Sequence, residues 1–263
     1  MIKFFRKVRS QLLGEGKFSK YMIYAFGEII LVVVGILLAI QFNSWSVERG
    51  ENTKAQWYLN NILDDLHYQT QSLDMIEAEY NAAIHASKTI LRTYYAKGSF
   101  TEVDSLNYHL NTLMYAQFFP NTNSSYRELV SSGQLSLIKD KDLSLEVIDF
   151  YLFSEDNEQI FKNDIDNIFY PQIYPVLSSL VQVDLGDYVS DEKDAYLLDQ
   201  LPSISKLILQ KLQDPEIQLS LENAIKLKIL ILTDQLAIIK ETQKGAKELN
   251  ALIEASLQQP SNE

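Results

Sequence analysis

The sequence contains no cysteine. That excludes disulfides, thiolate metal sites and cysteine nucleophiles, and it fits an exported domain that avoids unwanted bridging. Histidine is nearly absent too: only His67, His85 and His109 occur, and none forms H-x-x-x-H, H-E-x-x-H or E-x-x-H. Nine glycines and six prolines in 263 residues exclude collagen-like or low-complexity character. Basic residues are in the minority, with 23 Lys and Arg against 35 Asp and Glu. They are also unevenly placed. Lys3, Arg6, Lys7, Arg9, Lys17 and Lys20 outweigh Glu15 and Glu28, so residues 1–42 carry +4 and residues 43–263 carry −16 of the total −12. An acidic domain of that size repels polyanions, so no nucleic-acid partner is expected.

Charge is also missing between Tyr21 and Phe42, where Glu28 is the single exception. Twenty-two helical residues cover about 33 Å, enough to cross a hydrocarbon core of about 30 Å. Tyr21, Tyr24 and Trp45 lie where interfacial aromatics belong. The basic residues precede the span, which puts the N-terminus in the cytoplasm and residues 43 onward outside it, in a periplasm where two membranes exist. LLAIQFNSW offers no A-x-A cleavage pattern, so the reading taken is an uncleaved anchor and not a signal peptide. Ahead of the span, Ile2, Phe5, Val8 and Leu12 recur at helical spacing. Lys3, Arg6, Lys7 and Arg9 fall mostly on other faces, as in an amphipathic helix on anionic lipid headgroups; a disordered basic flank that only sets topology is the alternative.

Glu28 sits roughly 10 Å into the span. A carboxylate near the interface costs little, and one at mid-membrane on the order of 3 kcal/mol. Either it reaches the headgroups or it faces a partner helix. Glu28, Gly35 and Phe42 recur every seven residues, and Gly35 and Ala39 form a small-xxx-small pair on the same side. Small residues permit close helix approach. Glu28, Gly35, Ala39 and Phe42 are therefore the candidate helix–helix contacts.

Beyond the span, Leu59, Ile62, Leu66, Ile76, Tyr80, Ala83, Ile90 and Tyr94 follow three- and four-residue spacing, with polar Gln69 in the series. This predicts a long helix ending at Lys97-Gly98, with a break near Gly50. Ser99-x-x-Glu102 reads as a capping box opening a helix to about Phe118, and Ser125-x-x-Glu128 as another opening a short helix closed by Gly133. Asp140 caps a helix carrying Leu143, Val147, Phe150 and Tyr151, and a further helix over 156–170 ends at Pro171. Residues 171–202 are the least regular. Asp214-Pro215-Glu216 opens a last helix with Leu221, Ile225, Ile229, Leu232, Leu236, Ile239, Ala246, Leu249 and Ile253 on one face. Lys226, Lys228, Asp234 and Lys240 interrupt it, so it is not a second span. The expected fold is all-α: a single N-terminal transmembrane helix followed by an extracytoplasmic antiparallel helical bundle with long first and last helices. The expected division is a basic cytoplasmic amphipathic segment 1–20, a transmembrane helix 21–42 and a periplasmic helical domain 43–263.

The stretch FFRKVRSQLLGEGKFSKYMIYAFGEIILVVVGILLAIQFNSW resembles the start of a family of single-pass membrane proteins from Bacteroidetes, family 6090 among the domains of unknown function. Its members share an FFRK-like start, a GKFSKY-like stretch and a GEIILVV-x-GI-like span, and YRELVSSGQLSLIKDKDL resembles their second recurring stretch. The resemblance implies a membrane location and no established activity, so it supplies no catalytic residues.

Chemistry is otherwise sparse. Asp64-x-x-His67 puts two possible ligands on one face, fewer than a metal site needs. There is no G-x-S-x-G, P-loop or G-x-G-x-x-G, and Ser131-Ser132-Gly133 reads as a helix end. Asp184, Asp187, Asp191 and Asp194 lack EF-hand spacing and read as a solvated loop. Tyr151, Phe153, Phe161, Phe169, Tyr170 and Tyr174 form either core or a sugar-binding face, with core favoured. No catalytic residue, metal, cofactor or small-molecule substrate is expected. The predicted partners are membrane lipid and either a membrane or periplasmic protein or a second copy of the chain. The leading reading is a non-catalytic anchored interaction, scaffold or accessory-subunit protein. The alternative is a periplasmic ligand-sensing bundle that signals through a partner membrane protein, because about twenty residues before the span leave no room for a cytoplasmic effector domain.

Overall fold

A computed structural model describes residues 18–258, and all their regular structure is helical. The chain divides into two units, Met1–Trp57 and Tyr58–Glu263. In the first, the opening helix α1 (Phe18–Lys97) presents Ile29 through Ile40 with every described side chain exposed. This is one helix long and apolar enough to cross a membrane. The expected break does not occur: α1 continues through Gly50, because a single interior glycine costs only about 1 kcal/mol against alanine.

In the second unit, α1 buries Ala55's successors at a strict alternation of four and three residues: Leu59, Ile62, Leu66, Gln69, Leu73, Ile76, Tyr80, Ala83, Ser87 and Ile90. Lys97 ends the helix, and Gly98 at φ +75 donates its N–H to the Tyr94 carbonyl at 2.7 Å, the left-handed stop that only glycine adopts without strain. The proposed helix from Ser99 to Phe118 is broken. Ser99 caps a short 3-10 turn, Phe100–Glu102, Ser105 then takes φ 53, and α2 covers only Leu106–Thr112.

The helix α3 (Ser124–Ser131) corrects a second expectation. Asn123 stands at its N-cap without a side-chain bond, and the Ser125-x-x-Glu128 box does not form. The cap comes instead from α1: Asp65 Oδ2 accepts the Ser125 N–H at 2.9 Å and Asp65 Oδ1 accepts the Ser124 hydroxyl at 3.2 Å. A carboxylate at a helix N-terminus satisfies orphan N–H groups and complements the helix dipole, which explains how Asp65 is tolerated at 8% exposure. Gly133 at φ +69 closes α3 as read, with Gln134 N–H on the Leu129 carbonyl and Gly133 N–H on the Val130 carbonyl.

Asp140 caps α4 (Lys141–Asp164) through the N–H groups of Asp142 and Leu143. Pro171 does not end the helical run. α4 widens into a π-helix, Ile165–Ile173, with Pro171 inside it, followed by α5 (Tyr174–Ser178). Proline cannot donate to the carbonyl four residues back and collides with it. The wider turn relieves that conflict, and the Asn167 carbonyl takes Gln172 Nε2 at 3.0 Å instead. A further helix, α6 (Pro202–Lys211), follows the segment read as least regular and has no counterpart in the sequence reading. Finally Asp214 Oδ1 accepts the Glu216 N–H and opens α7 (Pro215–Gln258).

α7 repeats the spacing of α1, burying Leu221, Ile225, Lys228, Leu232, Gln235, Ile239, Thr242, Ala246, Leu249 and Ile253. Two apolar clusters result. One joins Leu73–Ile90 of α1 with Phe161, the π-helix and Leu221–Ile239 of α7; the other joins Tyr58–Leu66 with Leu143–Tyr151 and Ala246–Ile253. Each fully buried Leu or Ile contributes on the order of 1.5–3 kcal/mol. Between the clusters on each helix the buried residues turn polar: Gln69, then Ser154 and Asn157, then Thr242 and Gln243. Gln69 Nε2 reaches Ser154 Oγ at 3.4 Å, and Gln243 Nε2 donates to Asp74 at 2.7 Å and to Glu77 at 3.2 Å.

The Asp65 cap yields a stability prediction. Asp65→Ala should destabilise the full-length protein by about 1–3 kcal/mol, read as a lower thermal midpoint by circular dichroism. Asp149→Ala on the exposed face of α4 should change it by no more than about 0.5 kcal/mol.

Candidate functional site

The anchor residues are placed simply. Glu28, Gly35, Ala39 and Phe42 are exposed on α1, and a Cβ added at Gly35 would meet nothing within 4 Å. Seven-residue recurrence puts Glu28, Gly35 and Phe42 on one solvent-exposed face of α1. Lys3, Arg6, Lys7 and Arg9 lie outside the described residues.

The sites weighed from sequence resolve into local roles. Asp64 and His67 are exposed. Asp184 Oδ1 accepts the Gly186 N–H and Asp191 Oδ1 the Lys193 N–H, so these carboxylates close turns. Among the described residues no group of three or more His, Asp or Glu side chains could hold a metal. Tyr151, Phe161 and Phe169 are buried, while Tyr170 and Tyr174 lie on the surface with rings 5.8 Å apart.

Sequence reasoning missed the most unusual side chain, Lys228. It was counted among the charges that interrupt α7, yet it is 2% exposed. Its Nζ donates to the Tyr115 carbonyl at 2.6 Å and lies 4.3 Å from the centroid of the Phe169 ring, which the π-helix delivers. Tyr80, Asp164, Ile165 and Gln235 share with it a small cavity of about 10 Å³, room for one water at most and not for a substrate. Burial holds the Lys228 amine down to about 7. Burial also pushes the Asp164 carboxyl up, partly offset by the Gln235 N–H it accepts at 3.0 Å and reinforced by Asp234. The Tyr80 hydroxyl is pushed above its ordinary value by burial and donates to the Gln117 carbonyl at 3.3 Å. The signal that could have found Lys228 was spacing. It lies three residues after Ile225 and four before Leu232, on the buried stripe.

This arrangement makes Lys228 a pH-dependent element. Between about pH 7 and the ordinary lysine value of 10.5 the folded protein binds fewer protons than the unfolded chain. Stability therefore rises with pH across that window, and the cost, on the order of a few kcal/mol, is fully present below pH 7. Lys228→Met should raise the thermal midpoint at pH 6 and bring the midpoints at pH 6 and pH 9.5 closer together. A lower midpoint for the variant at pH 6 would mean that the Phe169 ring and the Tyr115 carbonyl more than repay the buried charge.

No curated protein and no solved structure matches the chain. A family model does, over residues 28–167, and its description is a family of unknown function, DUF6090. The matched residues begin at Glu28, run through the apolar part of α1, and take in the Asp65 cap, α3 and α4 as far as the start of the π-helix. Since the match spans more than half of the chain, the protein belongs to this family of unknown function, DUF6090.

Proposed function

We propose that the protein is a non-catalytic, membrane-anchored interaction protein: a single pass through the inner membrane, an N-terminus in the cytoplasm, and residues 43–263 folded as a periplasmic antiparallel bundle. The observation that carries this reading is the stretch Ile29–Ile40, apolar and exposed all round, preceded by basic residues and followed by an acidic domain. Water disfavours such a surface and a bilayer accepts it. The charge asymmetry supports the orientation. The bundle reading is supported by bonds whose partners run in opposite order along the two helices: Asp74 of α1 with Gln243 of α7, and the later Tyr94 with the earlier Gln218.

In this reading the anchored bundle acts through what it holds. The face marked by Glu28, Gly35, Ala39 and Phe42 supplies the small residues and polar group that favour helix association within a bilayer. In this reading it recruits a membrane protein or a second copy of the chain, while Lys3, Arg6, Lys7 and Arg9 hold the cytoplasmic leaflet.

The test is a pull-down of tagged full-length protein from its native membrane in mild detergent after brief crosslinking, with mass spectrometry and a native mass. A recurrent partner or a defined homo-oligomer is expected. Glu28→Gln and Glu28→Leu should both weaken it while the helical circular dichroism stays intact. Assembly unchanged in both variants contradicts the role given to Glu28, and a monomer with no partner contradicts the interaction reading itself.

A further inference from the structure

Within the second unit, the Phe100 end carries a loop that is firmly held at its base and apolar at its surface. Gln182 is the clasp. Its side chain accepts the Leu201 N–H at 2.8 Å and donates to Ser205 Oγ at 2.8 Å, joining two points of the chain 19 residues apart. Its backbone is fixed to α2: Asn107 Oδ1 accepts the Gln182 N–H at 2.8 Å, and Asn107 and Asn111 both donate to the Gln182 carbonyl at 3.0 Å. Asn111 Oδ1 also accepts the Asp184 N–H at 2.9 Å. The connection carries only two 3-10 segments, Gly186–Tyr188 and Glu192–Leu198, and long connections with so little regular structure often serve binding.

What the clasp presents is unusual for a solvated loop. Tyr188 is 85% exposed and Tyr196 65%, and on the same loop Leu197, next to Tyr196, and Leu201 at the clasp have 44% and 57% of their surface in solvent. The following helix α6 adds exposed Ile204 and Leu207. Aromatic and aliphatic groups concentrated on one ordered feature mark an interaction surface more often than chance exposure does. The same loop is strongly acidic: Asp184, Asp187, Asp191, Glu192, Asp194 and Asp199 against Lys193 alone leave residues 182–201 at −5. Lys206 and Lys211 bring the segment through α6 to −3, and Lys211 Nζ is engaged on the Ser179 carbonyl.

We propose that the loop 182–201 and the exposed face of α6 form the docking surface for a protein partner that presents an apolar patch rimmed by Lys and Arg. The inference rests on the interaction reading and names the surface and the chemistry of the partner. Charge selects among occupants. Two copies of the loop would bring −5 against −5, and anionic lipid would be repelled in the same way, whereas a basic rim gains from complementarity and is steered toward the loop.

The experiment places a photo-crosslinking benzoyl-phenylalanine at Tyr188, at Tyr196 and, as control, at exposed Tyr68 of α1, in the full-length protein in native membranes. One shared protein adduct is expected at Tyr188 and Tyr196 and not at Tyr68, its crosslinked peptide apolar and bearing Lys or Arg. The double variant Glu192→Lys/Asp194→Lys should reduce the adduct about tenfold, since it replaces two rim attractions by repulsions, and raised salt should do the same. Its unchanged melting curve would show that the fold is intact. Adducts no stronger than at Tyr68, adducts to lipid or to a second copy, or a protein adduct indifferent to charge reversal and salt would each overturn the proposal. If the pull-down retains its partner in spite of such a result, the interaction reading stands and the docking surface lies elsewhere; if no partner is retained at all, both fail.

Discussion

The helical unit depends on one geometric constraint: α1 and α7 bury residues at a strict alternation of three and four. A repeat of 3.5 residues keeps one stripe of a helix facing its neighbours over many turns. On α1 the stripe runs from Leu59 to Ile90 and on α7 from Leu221 to Ile253. α4 and the π-helix lay Val147, Phe150, Phe161 and Phe169 into the same two clusters. The short elements depend on this seam for their positions. α3 takes its cap from Asp65, which sits next to Leu66 on the stripe.

The stripe is polar where apolar side chains would be more stable. Gln69, Ser154, Asn157, Thr242 and Gln243 separate two apolar clusters, and Lys228 and Gln235 occupy further stripe positions on α7. Buried polar groups lower stability relative to well-packed hydrophobes, and a single one at such a position can fix register. Gln69 Nε2 is paired with Ser154 Oγ, and Gln243 Nε2 with Asp74 and Glu77, so sliding by one heptad would break these bonds and not merely exchange one leucine for another. Lys228 is restricted further: its amine meets the Tyr115 carbonyl and the Phe169 ring together, and Phe169 is in place because the chain widens around Pro171.

How much of this was legible in the sequence follows from range. The stops and caps that act within a turn of the chain were readable: Gly98, Gly133, Asp140 and Asp214 all do what their local chemistry requires. Long-range partners were not. Ser125-x-x-Glu128 looked self-sufficient, yet the cap comes from Asp65, 60 residues earlier. Pro171 is a helix terminator by propensity, and the packing of Ile165, Phe169 and Ile173 into the core outweighs that preference by widening the helix. Lys228 carried its evidence in its spacing, but charge was read as exposure. The loop clasped by Gln182 looked irregular because its order comes from Asn107 and Asn111, more than seventy residues away.

The absence of cysteine allows the topology on which the functional account rests to be measured without background. Single variants Lys7→Cys and Asp149→Cys would be labelled in intact cells with a maleimide that cannot cross the inner membrane. A single pass with a cytoplasmic N-terminus gives labelling of Asp149→Cys in intact cells and of Lys7→Cys only after lysis, with the protein staying in the membrane pellet through alkaline carbonate. Labelling in the opposite order, or release by carbonate, would contradict it.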